Sequence, residues 1–123
     1  MKLRFRNNTL RLRVNRREVE SLASGAALKE QIQFPGNTQI RYVLEPTTKP
    51  AAEAWFREGV IGVSAPHREI SDWAKGDSIG MYFELPANGR VLEVSIEKDL
   101  ECRDAPAEEA DPDAFPRTGE KDC

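Results

Sequence analysis

The apolar residues, helix signals and turns of this chain recur in the same order after 51 residues. Self-similarity of this kind is typical of a fold built from copies of one supersecondary unit. The offset aligns apolar residues at the following pairs: Phe5 with Phe56, Leu10 with Ile61, Leu12 with Val63, Val19 with Ile70, Leu22 with Trp73, Leu28 with Ile79 and Ile32 with Phe83. One more residue of offset aligns Ile40, Tyr42 and Leu44 with Leu92, Val94 and Ile96. The sequence therefore predicts two pseudo-repeats, residues 1–45 and 52–96, each ordered strand, strand, helix, strand, strand.

Each copy carries local signals for its elements. Apolar and charged residues alternate from Lys2 to Arg6, which is typical of a half-buried strand. Asn15 followed three residues later by Glu18 has the spacing of a capping box and predicts the start of a helix. In the second copy Pro66 opens the corresponding helix and Gly76 ends it.

These signals predict a mainly β fold with two short helices, of the α+β class. One copy is too small to enclose a core, but two copies related by a pseudo-two-fold axis can merge eight strands into a barrel-like domain. Closure also removes the exposed edges of short strands. We expect a single domain over residues 1–98, with Trp55 and Trp73 at core positions. An acidic, proline-containing tail follows over residues 99–123.

Charge is distributed unevenly along the chain. Residues 1–50 hold ten bases and four acids, a net charge of +6, whereas residues 51–123 hold eight bases and seventeen acids, a net charge of −9. Residues 99–123 alone carry nine acids and three bases, or −6. A basic front and an acidic tail suit a polyanion site with a tethered competitor. They also suit two regions that neutralise each other in a nearly neutral protein.

The basic residues of the first hairpin alternate with its apolar residues and therefore share one face. Five like charges on two strands repel one another unless a polyanion or nearby acids neutralise them. The candidate ligand-binding residues are Lys2, Arg4, Arg6, Arg11 and Arg13. Their expected ligand is nucleic acid first, or another polyanion. In the alternative, Glu93 and Glu97 of the last strand pair with these bases and cancel much of their charge.

The sequence predicts no catalytic residue, no metal site and no cofactor. His67 has no sequence partner for nucleophilic or acid–base chemistry, and Cys102 and Cys123 lack the spacing of metal ligands. A distant alternative is a metal-dependent phosphate hydrolase, because residues 93–98 (EVSIEK) approach the Glu-x-Glu-x-Lys pattern of triphosphate-hydrolysing tunnels. We expect a binding protein rather than an enzyme. A protein-partner or structural module without a ligand is the close alternative.

Composition also predicts the location. The chain has no apolar run near the roughly 20 residues of a membrane span, and its start lacks the apolar stretch of a secretory signal. Two cysteines do not make a disulfide framework. We therefore expect a cytoplasmic protein that does not contact a membrane. Its oligomeric state stays open between a monomer and a homodimer.

Each half resembles the swapped-hairpin unit of AbrB-type regulators, the class that includes MazE-like antitoxins and MraZ-like proteins. The clearest stretch is residues 60–66 (VIGVSAP), followed by Ile70, Trp73, the Gly76–Asp77 corner and Ile79. The resemblance implies that two such units interlock into a barrel, normally as a dimer of chains, and that paired hairpins bind DNA. This chain would supply both units itself.

The whole chain also resembles a small family of uncharacterised bacterial proteins of similar length. The similarity lies in residues 2–7 (KLRFRN), 10–13 (LRLR), 18–19 (EV) and 97–100 (EKDL), and in Cys102. That family has no established activity, so the resemblance implies no functional residue.

Overall fold

The computed structural model describes residues 1–100 together with Asp113 and Phe115. In that part of the chain it contains eight strands and two helices, which confirms the mainly β composition. In chain order they are β1 (Lys2–Arg6), β2 (Thr9–Val14), α1 (Arg16–Ala23), β3 (Leu28–Phe34), β4 (Thr38–Thr47), β5 (Glu53–Arg57), β6 (Val60–Pro66), α2 (His67–Lys75), β7 (Gly80–Ala87) and β8 (Arg90–Lys98). Corresponding elements of the two halves begin 51 or 52 residues apart.

The strands form two four-stranded sheets, and each sheet takes one hairpin from each half of the chain. Sheet A has the order β1-β2-β8-β7, and sheet B has the order β3-β4-β6-β5. The outer pairs in both sheets are antiparallel hairpins, whereas the central pairs, β2 with β8 and β4 with β6, are parallel. The halves are therefore joined in the middle of each sheet.

Tight turns close the hairpins. Glu58 and Gly59 join β5 to β6 with φ angles of 50° and 77°, and Asn88 and Gly89 join β7 to β8 with φ angles of 50° and 80°. A two-residue loop of type I′ needs a positive φ at both positions, because its twist then matches that of the flanking strands. The local sequence thus fixes the register of both hairpins.

The first helix begins as its sequence predicts. The Asn15 side chain accepts a hydrogen bond from the Glu18 backbone N–H, and the Glu18 carboxylate accepts one from the Asn15 N–H, both at 3.0 Å. The two helices pack against each other, and the exposed His67 ring lies 3.1 Å from the Ala23 carbonyl at the end of α1. Among the described residues no helix has the length and apolar character needed to cross a bilayer.

One hydrophobic cluster contains buried side chains from both sheets and both helices. Its members are Leu12, Val14, Val19, Leu22, Leu44, Val63, Ala65, Ile70, Trp73, Met81, Val94 and Ile96. Several members are partners at the internal offset, such as Leu22 with Trp73 and Val19 with Ile70. Outside this cluster, the Tyr42 hydroxyl donates to the Met1 carbonyl at 3.1 Å and connects sheet B to the start of β1.

The predicted barrel is not confirmed. Within residues 1–100 the strand pairings give two separate sheets, each with two edge strands, and neither sheet closes on itself. Periodicity identified the strands and their apolar sides correctly. It carries no information on hydrogen bonds between the edges of different sheets, and closure depends on those bonds.

Three residue assignments from the sequence need correction. Leu28 lies opposite Leu44 and Met81 lies opposite Ile96, so Leu28 corresponds to Met81 rather than to Ile79. By the same register Ile32, opposite Ile40, corresponds to Leu85, opposite Leu92, rather than to Phe83. The reason is that three residues link β3 to β4, whereas two link β7 to β8. Of the two tryptophans, Trp73 is buried as expected, but Trp55 is only half-buried and lies against Gly62 on the other side of sheet B from the core.

The exchange of hairpins predicts that neither half folds alone. A fragment of residues 1–50 lacks the parallel partners of β2 and β4, and it lacks the core residues of the second half. We expect fragments 1–50 and 51–123 to give circular dichroism spectra of unfolded chains separately and a β-rich spectrum when mixed. A β-rich, cooperatively melting spectrum of fragment 1–50 alone would contradict this.

Candidate polyanion-binding face

Alternate residues of sheet A project away from the core and form one charged surface, here called the basic face. The strand register arranges its residues in three rows: Lys2, Arg13, Glu97 and Gly80; Arg4, Arg11, Ser95 and Tyr82; and Arg6, Thr9, Glu93 and Glu84. All five candidate cations lie on this face, and Arg4 is directly opposite Arg11. The basic residues come from β1 and β2, whereas the acidic ones come from β7 and β8.

Glu97 contacts three side chains near the middle of the basic face. Its Oε1 lies 3.2 Å from Arg11 Nε and 3.8 Å from Arg13 Nε. Its Oε2 accepts a hydrogen bond of 2.8 Å from the Tyr82 hydroxyl. The parallel pairing of β2 with β8 places Glu97 directly opposite Arg13 and explains these contacts. Both arginine side chains remain more than a third exposed, so solvent weakens the ion pairs.

The three bases of β1 differ in their surroundings. Lys2 Nζ forms an ion pair of 2.8 Å with Asp99, a carboxylate that is almost buried. Arg4 and Arg6 are exposed and make no ion pair with any residue of the described part of the chain. Because β1 is an edge strand, these two guanidinium groups lie at the open edge of the basic face.

The alternative in which Glu93 and Glu97 neutralise the hairpin holds for one of the two acids. Glu97 pairs with Arg11 and Arg13, as described above. Glu93 instead accepts a hydrogen bond of 3.1 Å from the Thr9 hydroxyl and lies opposite Glu84, another exposed carboxylate. The basic face is therefore divided into a basic half and an acidic half, with partial neutralisation where they meet.

Tyr82 belongs to this face, although sequence reasoning did not select it. Its side chain is 62 % exposed and shares a row with Arg4 and Arg11. Its hydroxyl lies over Gly80, where an added Cβ would come within 2.7 Å of the oxygen. Partial burial raises the pKa of the phenol, the hydrogen bond to Glu97 and its charge raise it further, and Arg11 opposes the shift. The sequence signal that could have identified Tyr82 is its alternation with Met81, because a residue next to a buried one in a strand faces outward.

Of the described tail residues, Asp99 pairs with Lys2 of the basic face, whereas Asp113 contacts α1. The Arg16 N–H donates to the Asp113 carbonyl at 2.8 Å, and Arg17 Nε lies 3.4 Å from the Asp113 carboxylate. Phe115 packs against the core, with Lys98 Nζ 5.4 Å from its ring centroid. The other acids of residues 101–123 lie outside the described part, as do Cys102 and Cys123.

The residues of the hydrolase alternative do not converge. Glu97 is engaged with Arg11, while Lys98 points the other way and donates to the Gly76 carbonyl at 3.0 Å. Within the described residues no group of three or more His, Cys, Asp or Glu side chains is placed to hold a metal ion.

Fold and site together define a mainly β protein in which exchanged hairpins present a charged sheet face. The chain belongs to a family of unknown function (DUF7009), whose model matches residues 1–119. This match confirms the resemblance to an uncharacterised family and gives no support to the AbrB resemblance. Neither the curated proteins nor the solved structures include a match to this chain.

The contact between Tyr82 and Glu97 predicts the alkaline behaviour of the protein. Because burial and the contact with Glu97 raise the pKa of Tyr82 in the folded state, folding is favoured more below the ordinary phenol pKa of 10.0 than above the folded-state pKa. That stabilisation is lost as the pH rises through the higher, folded-state pKa. The difference in tyrosinate absorbance between the wild type and Tyr82→Phe should show Tyr82 ionising above its ordinary pKa. Glu97→Gln should shift this ionisation downward, and an unchanged titration would contradict the assigned contact.

Proposed function

We propose that this protein binds a polyanion, nucleic acid first, on the basic face of sheet A. The observation that carries the proposal is the cross-strand pair of Arg4 and Arg11, with Arg6 beside it on an edge strand. Like charges directly opposite each other destabilise a sheet unless a counter-charge is present. A phosphate chain lying along β1 supplies that charge, and the guanidinium fork suits phosphate oxygens.

The arginines of the basic face differ in how easily a phosphate can reach them. Arg4 and Arg6 need no rearrangement to meet a phosphate. Arg11 and Arg13 meet one only when it displaces the Glu97 carboxylate, which already occupies the place of an anion. Binding through β1 therefore comes first, and the inner arginines add affinity at the cost of their contacts with Glu97. The exposed Tyr82 ring supports nucleic acid over simpler polyanions, because bases stack on aromatic side chains.

The exchanged hairpins give further support. Each sheet combines hairpins from both halves, as in the swapped-hairpin unit that each half resembles, and in AbrB-type regulators paired hairpins bind DNA.

We include in the proposal the interlocking of two pseudo-repeats, residues 1–45 and 52–96, and a barrel-like closure of their strands. A cytoplasmic binding protein, not an enzyme, is the corresponding role. The acidic stretch of residues 99–123 acts as a competitor of the polyanion.

Replacement of the two accessible arginines tests the site. We expect wild-type protein to bind a fluorescent single-stranded oligonucleotide with an affinity that falls steeply with salt. Arg4→Gln/Arg6→Gln should weaken binding and reduce the slope of log K against log salt by about 1.4, because two phosphate contacts are lost. Arg68→Gln/Lys75→Gln, which removes two exposed charges from α2, is the matched control and should have little effect on the slope.

The same titration is repeated on a chain that ends at residue 103, because removing the acidic residues should tighten binding. Absence of binding to single-stranded DNA, duplex DNA and RNA at low salt by both forms would exclude the nucleic-acid proposal. Equal losses of affinity in the two double variants would show that binding depends on net charge alone and that the basic face holds no site.

Removal of the internal carboxylate should have the opposite effect. Glu97→Gln frees Arg11 and Arg13, so we expect oligonucleotide affinity to rise by up to about fivefold, the upper end of the range for an exposed ion pair. Glu84→Gln makes the same change in net charge on the same face, but Glu84 lies in another row. It should raise affinity clearly less. Equal gains in the two variants would show that Glu97 does not compete with the ligand, and melting curves of both exclude a difference in folding.

A protein partner is the second candidate, and one observation favours it. Phe5 and Phe56 occupy equivalent positions in the two halves, and their side chains are 62 % and 71 % exposed. Exposed aromatic side chains of this size are typical of interaction surfaces. This candidate is supported if the wild type does not bind oligonucleotides and Phe5→Ser/Phe56→Ser changes its oligomeric state.

A further inference from the structure

The outer face of sheet B holds a pocket of about 480 Å³ beside Trp55. Its lining includes two carboxylates, Glu45 and Glu53, the indole of Trp55, the guanidinium of Arg57 and the hydroxyl of Ser64. The core-facing side of the sheet is packed by other residues, so this pocket lies on the side opposite the hydrophobic cluster. Its lining is mostly polar and charged around a single aromatic ring, so a ligand held here must itself carry polar or charged groups.

A glycine holds the Trp55 ring against the sheet. Trp55 lies opposite Gly62 in the register of β5 and β6, and a Cβ built on Gly62 would lie 2.0 Å from indole Cε2. Any other residue at this position would push the ring away. A glycine inside a strand often marks a place where another group must approach the backbone closely. Here the approach lays one side of the indole on the strand, and the half-buried ring lines the pocket.

Charged groups lie on both sides of the indole along β5. Glu53, Trp55 and Arg57 share one face, and consecutive members are separated by about 7 Å along the strand. Lys49 Nζ lies 3.1 Å from the Glu53 carboxylate and neutralises it. Neither Glu45 nor Arg57 forms an ion pair with the described residues, so each is available to a ligand. The pocket thus has a carboxylate end, an aromatic middle and a guanidinium end.

We propose that this pocket binds a mononucleotide whose base carries an amino group, with guanine as the best fit. The planar base stacks on Trp55, since aromatic side chains stack on any nucleobase. A carboxylate is an acceptor only, and Glu45 accepts from the N–H groups at the edge of the base. Arg57 holds the phosphate through its planar fork of donors. A cationic peptide side chain suits the indole and Glu45 but is repelled by Arg57, so the nucleotide is favoured.

Nuclear magnetic resonance of the two indole N–H groups tests the proposal on the full chain. Guanosine 5′-monophosphate should shift the Trp55 indole signal and leave that of Trp73, whose Nε1 donates to the Ile79 carbonyl at 2.9 Å. Trp55→Ala assigns the signal and, because it removes the stacking ring, should abolish binding measured by calorimetry. Uridine 5′-monophosphate, which lacks the amino group, should bind more weakly, and ribose 5-phosphate should not shift the Trp55 signal.

Two variants separate the ends of the pocket. Arg57→Gln should weaken the monophosphate about tenfold while leaving guanosine unaffected, because a charged hydrogen bond to phosphate is lost. Glu45→Gln should weaken both ligands, and Arg68→Gln on α2 is the control that should change neither.

Three results would overturn the proposal. The first is the absence of any Trp55 shift at millimolar nucleotide. The second is nucleotide affinity that survives Trp55→Ala. The third is affinity that is lost in Arg4→Gln/Arg6→Gln, because the ligand then occupies the basic face of sheet A. Oligonucleotide binding on that face can fail without affecting this pocket, and the reverse is also true.

Discussion

The parallel pairing of β2 with β8 and of β4 with β6 is the contact on which the rest of the structure depends. Within residues 1–100 it is the strand pairing that joins the two hairpins of each sheet, and it joins strands from opposite halves of the chain. The pairing places Leu12 beside Ile96 and Leu44 beside Val63, all of which are buried. A slip of one residue would turn every side chain of a strand to the other face. Burial of the core therefore also fixes which side chains reach the surface together.

The same register sets the electrostatics of the basic face. With Leu12 and Val14 held in the core, Arg11 and Arg13 must face outward, and Arg13 then lies opposite Glu97. Partial neutralisation of the hairpin thus follows from core packing and needs no separate contact. The edge strand β1 has no such neighbour, so its two outer arginines keep their charge exposed. A polyanion that binds here competes with Glu97 for the inner pair and with solvent alone for the outer pair.

Local features of the chain were predictable from sequence, whereas contacts between distant strands were not. Alternation gave the strands, and the Asn15 and Glu18 capping box gave the start of α1, because both depend on neighbouring residues. The correspondence of Leu28 with Met81 was missed, since it depends on loops of different length. Trp55 was assigned to the core because alternation does not reveal that Gly62 lies beside it. The five basic residues were correctly grouped on one face, but the contact of Tyr82 with Glu97 requires the register of β7 and β8.

The two outer faces carry different chemistry at equivalent positions. The offset of 51 residues relates Arg4 to Trp55 and Arg11 to Gly62. In sheet A these positions hold two guanidinium groups that lie opposite each other. In sheet B the equivalent positions hold an indole that lies over a glycine. The core-facing residues of these strands remain apolar in both halves, so the difference has little effect on the stability of the fold. Because no hydrogen bond or ion pair of the described residues joins the two faces, substitutions on one face should act independently of those on the other.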